Sequence, residues 1–114
     1  MGKDDASIIC ANVPEELRQH AEELARNVLT MERQLTEARK TADDEPLIIE
    51  YDNGGGQSGV RKNPYWEAYA QLFRTFSSGL SQLSQMIESH GAKPAAKTKL
   101  AELRVIAGDL KKAQ

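Results

Sequence analysis

Between Pro14 and Ala42 the apolar residues fall on one narrow line. Leu17, Ala21, Leu24, Val28, Met31, Leu35 and Ala38 advance in alternating steps of four and three, which keeps one stripe of an α-helix turned to a single neighbour over three heptads. Glu and Arg dominate the other faces. Asn12, Pro14 and Glu15 make a helix-start signal, and Asp43-Asp44-Glu45-Pro46 a stop. At the helical rise, 14–42 would be about 43 Å long. A helix this long with so thin an apolar face needs another helix to cover it.

The chain supplies one. Asn63 caps and Pro64 opens a second segment in which Trp66, Tyr69, Phe73, Phe76, Leu80, Leu83, Ile87 and His90 again step by threes and fours, up to Gly91. Its expected length, about 39 Å, matches the first. Between them, Leu47 to Tyr51 favour an extended strand and Asp52-Asn53-Gly54 is a turn signal, so the connector 43–63 reads as a small β-hairpin returning through Gly59 to Lys62. The glycines at 54–56 predict a mobile tip. A third, shorter helix is expected from Pro94, with Leu100, Leu103, Ala107 and Leu110 along its apolar edge.

The expected fold is therefore all-α: a long, coiled-coil-like antiparallel helical hairpin over 14–90, with an extended or β-hairpin connector. Residues 1–13 are expected to form a flexible N-terminal arm, and 91–114 a basic C-terminal helix. Leu17, Leu24, Val28, Met31 and Leu35 on the first helix, with Trp66, Tyr69, Phe73, Phe76, Leu80, Leu83 and Ile87 on the second, are the expected core or oligomerisation residues. Tyr65, Leu72 and Met86 add a further apolar column beside the second stripe. Either a second copy of the chain covers that column, which predicts self-association, or the third helix does.

Composition bounds the remaining possibilities. With 114 residues, 28% charged and 5% aromatic, the core is modest and one domain is expected. The early apolar run, Ser7 to Val13, is too short for a secretion signal, and no segment approaches a membrane span. The lone Cys10 can form no internal disulfide. These features predict a cytosolic chain. Its net charge of −2 conceals an asymmetry: residues 1–60 carry six Lys/Arg against thirteen Asp/Glu, and 61–114 carry nine against four. The basic half can meet an acidic partner such as nucleic acid, or the acidic half of the same or a neighbouring chain.

Motifs for catalysis are weak. In Gly54-Gly55-Gly56-Gln57-Ser58-Gly59 the last glycine is followed by Val60-Arg61, not by the Lys-Ser or Lys-Thr of a nucleotide-phosphate loop. Gly56-Gln57-Ser58-Gly59-Val60 lacks the final glycine of a nucleophile elbow. His20 and His90 have no metal-ligand spacing, and His90 is expected to pack at the helix end. Asp43-Asp44-Glu45 lacks the alternation of a calcium loop. Neither a catalytic residue, a metal nor a cofactor is expected. The spacing of Trp66, Tyr69, Phe73 and Phe76 assigns them to a core, so any contact with nucleic acid should be to phosphates.

The order of parts resembles the small terminase subunits of tailed bacteriophages. A long charged helix, a Gly-rich connector and Asn63-Pro64 opening an aromatic-bearing helix are followed by Gly91-Ala92-Lys93-Pro94-Ala95-Ala96-Lys97-Thr98-Lys99-Leu100. In one family of these subunits, Asn-Pro opens a helix and Gly-Leu-Thr-Pro-x-x-Arg-x-x-Leu closes the domain. Gly91, Pro94 and Leu100 match that segment, whereas Ala92, Lys93 and Lys97 depart from it. The resemblance spans roughly residues 14 to 110. It implies a non-enzymatic DNA-packaging adaptor in the cytoplasm of a bacterial host. Such a chain forms a homo-oligomer of the ring kind, binds double-stranded phage DNA and regulates a large subunit that carries the ATPase and nuclease. With only thirteen residues before the long helix, no N-terminal helix-turn-helix is expected. The charge pattern then nominates Arg61, Lys62, Lys93, Lys97, Lys99, Arg104, Lys111 and Lys112 for DNA. The alternative is a structural or regulatory coiled-coil protein that binds only protein partners.

Overall fold

The computed structural model describes residues 4–52 and 58–112. Along the chain run α1 (Asp5–Ile9), α2 (Glu15–Lys40), a single 3-10 turn (Ala42–Asp44), β1 (Ile48–Asp52), β2 (Ser58–Lys62), α3 (Pro64–Ser89) and α4 (Pro94–Lys112). The helices form a bundle elongated to 62 × 28 × 25 Å, and the fold is the expected pair of long helices with a strand-pair connector and a C-terminal helix.

The two 26-residue helices α2 and α3 lie antiparallel and form the main packing interface. At one end the Tyr65 hydroxyl donates to the Ala38 carbonyl, and near the other the Asn12 amide donates to the Gly91 carbonyl. Midway, Gly79 lets the helices approach: a Cβ there would meet Val28 Cγ2 at 3.1 Å. Around that point Val28, Leu35, Phe76, Leu83 and Ile87 are fully enclosed. A buried phenylalanine such as Phe76 is worth about 3–5 kcal/mol against truncation to alanine.

Asn63 fixes where α3 begins. Its Oδ1 accepts the Tyr65 amide at 3.0 Å, capping the helix, while its Nδ2 donates to Glu45 Oε2 and the Pro46 carbonyl, both at 2.8 Å. The Trp66 indole also donates to the Glu45 carbonyl, at 3.1 Å. This neck holds the connector shut. The other end of α3 stops where Gly91 takes φ +75°, a left-handed conformation suited to glycine. Helix α4 then runs back along α3, tied by Arg104 to Glu88 at 2.6 Å and by the Tyr69 hydroxyl to the Leu110 carbonyl at 3.5 Å. It buries Ala96, Leu100, Leu103 and Leu110.

The N-terminal segment differs most from expectation. Residues 5–9 are helical and packed against α2 and α4, with Ala6, Ile9, Cys10 and Val13 at most 1% exposed. A free arm would leave those four side chains in water. Asp4 caps α1 by accepting the Ser7 amide at 2.8 Å, and that hydrogen bond holds its carboxyl below the usual range. Lys99 and Arg26 reach Asp5 and Asp4 at 3.4 and 3.7 Å, and the Arg18 guanidinium grips the Val13 carbonyl.

Because α1, α3 and α4 all pack on α2, its buried face is broader than a two-helix seam. Ala21, Ala25, Val28 and Leu35 are buried, Leu24 and Met31 are half-buried, and Leu17, expected in the core, is 42% exposed. The small Ala21 and Ala25 are fully enclosed on that face, while Leu17 lies in the exposed first turns of the helix. Asn12 is not the cap of α2: Pro14 takes that position with no side-chain hydrogen bond. Trp66 is half-buried at the neck, not enclosed, and His90 is exposed at the end of α3, not packed. The expected extra column is half-buried within the chain. Leu72 and Met86 pack against the core, and Tyr65 is held to α2 through its hydroxyl.

The strands pair from Ile48 opposite Lys62 to Asp52 opposite Ser58. Residues 53–57, which include the glycines expected at the tip, lie outside the described residues.

Replacing Asn63 by Ala removes the α3 cap and two clamps on the neck. Thermal unfolding followed by circular dichroism should show a loss of about 1–2 kcal/mol. Asn63→Asp keeps the acceptor for Tyr65 but sets a second carboxylate beside Glu45, and should recover only part of the loss. An Asn63→Ala variant as stable as the parent contradicts this role.

Candidate nucleic-acid interface

The residues nominated for DNA do not form one patch. Arg61 and Lys62 are exposed on β2, beside the neck where α3 begins. Lys93 and Lys97 are exposed beyond the opposite end of α3. A 26-residue helix separates the two groups, on the order of 39 Å. A short straight contact with DNA cannot use both.

Within α4 the basic residues separate by face. Lys97, Arg104 and Lys111 recur every seventh residue and are all exposed, so they share one side of the helix. Consecutive members are about 10.5 Å apart along the axis. Lys93 extends the column at its start. Lys99 is turned away from it, only 35% exposed, and lies between Asp5 at 3.4 Å and Glu102 at 4.0 Å. The side chain of Lys112 lies outside the described residues.

Charge compensation divides the candidates further. Arg104 is paired with Glu88 at 2.6 Å, with both side chains about half exposed. A surface pair of this kind contributes about 0–1 kcal/mol and breaks readily when a stronger anion arrives. Lys93, Lys97 and Lys111 make no ion pair among the described residues. Beside Lys97 and Arg104 lies an open hollow lined also by Glu88, Gly91, Ala92 and Leu100. Part of the basic half therefore meets the acidic half inside the fold, through Lys99, and part faces solvent.

Other chemistry has little to work with. Among the described residues no three His, Cys, Asp or Glu side chains gather to hold a metal. His20 and His90 are exposed and far apart along the chain. The aromatic group of Tyr65, Trp66 and Tyr69 is engaged with itself, with Tyr65 and Trp66 edge-to-face at 5.2 Å, and Tyr69 is buried. Burial pushes the Tyr69 hydroxyl above its ordinary pKa. Among the described residues no helix is long and apolar enough to cross a membrane.

Cys10, which sequence reasoning treated only as unpaired, is fully enclosed between α1 and the bundle. Burial, followed by the nearby Glu22 carboxylate, pushes its thiol up to about 11. Roughly one thiol in a thousand is then ionised at pH 8. A thiol reagent at pH 8 should label native Cys10 slower than the denatured chain by about a hundredfold or more. Equal rates contradict the packing of α1.

No family model, no curated protein and no solved structure matches this chain.

Proposed function

We propose that the chain is a DNA-packaging adaptor of the small-terminase kind. It assembles with its own copies, contacts double-stranded DNA through phosphates, and regulates a large ATPase/nuclease subunit in the cytoplasm of a bacterial host. The observation that carries the reading is the exposed column Lys97, Arg104 and Lys111 on a rigid helix, with Lys93 at its start. The column is about 21 Å long, comparable with six base-pair steps of duplex DNA. It lies on a helix anchored by four buried side chains, so the cations are presented without ordering a loop. The sequence resemblance supplies the large subunit and the phage context.

A second reading is favoured by a specific observation. Lys99 with Asp5 and Arg104 with Glu88 are the internal ion pairs expected of a helical protein that binds only proteins. The two readings diverge in their response to salt and to loss of the column.

Binding of a fluorescent duplex at low salt tests them. The DNA reading predicts that replacing Lys93, Lys97 and Lys111 together by Gln weakens binding by at least about tenfold, and lowers the slope of log K against log salt by about 3. Lys99→Gln should change neither appreciably. Absence of binding by the intact chain, or an unchanged triple variant, rejects the DNA role and leaves the protein-binding reading.

A further inference from the structure

Among the described residues, three of the most exposed large apolar side chains lie on the connector. Leu47, Ile48 and Val60 are 72%, 61% and 66% exposed, and among the described residues the main contact of each strand is the other strand. The sheet has only two strands, so β1 and β2 each present an edge with no ladder neighbour among the described residues. A two-stranded hairpin is marginal in water by itself, and open apolar edges are templates for pairing with another strand. The Asn63 neck holds this hairpin out from the bundle.

Charge selects the occupant. Strand β1 carries Glu50 and Asp52 and β2 carries Arg61 and Lys62, all exposed. Pairing β1 with a second β1 brings Glu50 and Asp52 close to their own copies, and pairing β2 with β2 brings two cations close to two cations. Like charges facing each other across a ladder destabilise it. Pairing β1 of one copy with β2 of the next brings opposite charges together and covers Ile48 and Val60.

We propose that the hairpin is the assembly surface of this protein, and that its occupant is the hairpin of a second copy, joined head to tail through β1 and β2. Such a contact leaves one free edge at each end of every complex, so it grows until it closes as a ring or extends as a filament. It assigns Arg61 and Lys62 to assembly and leaves DNA to the α4 column. The inference rests on the assembly half of the proposed function and is independent of the DNA half.

Sedimentation of the full chain at high micromolar concentration tests it with three variants. Glu50→Lys with Asp52→Lys places cations on both edges, and Arg61→Glu with Lys62→Glu places carboxylates on both, so each should sediment as a monomer. An equimolar mixture of the two should reassemble, because every contact then joins unlike charges. Mixing leaves each hairpin's internal charges as they were, so recovery reports contacts between copies. Ile48→Lys with Val60→Lys should be monomeric with unchanged helical circular dichroism. A monomeric parent chain overturns both this inference and the assembly half of the function. An oligomeric parent whose variants remain assembled overturns the hairpin surface alone, and a mixture that stays monomeric overturns the head-to-tail arrangement.

Discussion

The close contact of α2 and α3 at Gly79 and Val28 is the constraint from which the other features follow. With no side chain at Gly79, the methyl groups of Val28 come against the α3 backbone, and Phe76, Leu83 and Leu35 can close around them. Interlocking of this kind sets the register of two helices that have otherwise similar faces. Register in turn brings Tyr65 to Ala38 and Asn12 to Gly91. It also places the neck at one end of the molecule and the α4 start at the other.

A two-helix seam leaves much of α2 uncovered, and the chain covers it with its two terminal helices. Helix α1 packs on α2 and α4 while α4 takes the groove between the long helices, and Lys99 with Asp5 joins the two additions. Each of the four added seams, α1 on α2 and α4 and α4 on α2 and α3, is thinner than the seam between the long helices. Exposed ion pairs add little energy, so it is the buried Ala96, Leu100, Leu103 and Leu110 that fix which face of α4 is turned outward, with Arg104 and Glu88 paired at its edge.

The long helices, the strand pair and α4 were legible because their signals are local and periodic. Asn63-Pro64 marks the start of α3, and the alternating steps from Tyr69 to Ile87 name residues that are all buried. The misjudged parts depend on a neighbour that the pattern does not name. Ala6, Ile9, Cys10 and Val13 do stand at helical spacing, but a five-residue helix has no stability of its own. It forms only where α2 and α4 cover its apolar side. The exposure of Leu17 has the same origin, since a third and fourth helix rotate the buried face away from a strict heptad line. Of the nominated cations, sequence spacing identifies the shared face of Lys97, Arg104 and Lys111. It is silent on the burial of Lys99 by Asp5, which is 94 residues away along the chain.

The molecule thus divides into a packed bundle that displays cations and a hairpin with exposed apolar residues, the surface proposed for a second copy. Amide hydrogen exchange at two protein concentrations tests that division directly. The account predicts that amides around Val28 and Phe76 are protected at both concentrations, while those of Ile48–Asp52 and Ser58–Lys62 gain protection only at the higher one. Hairpin amides that exchange at the same rate at both concentrations contradict it.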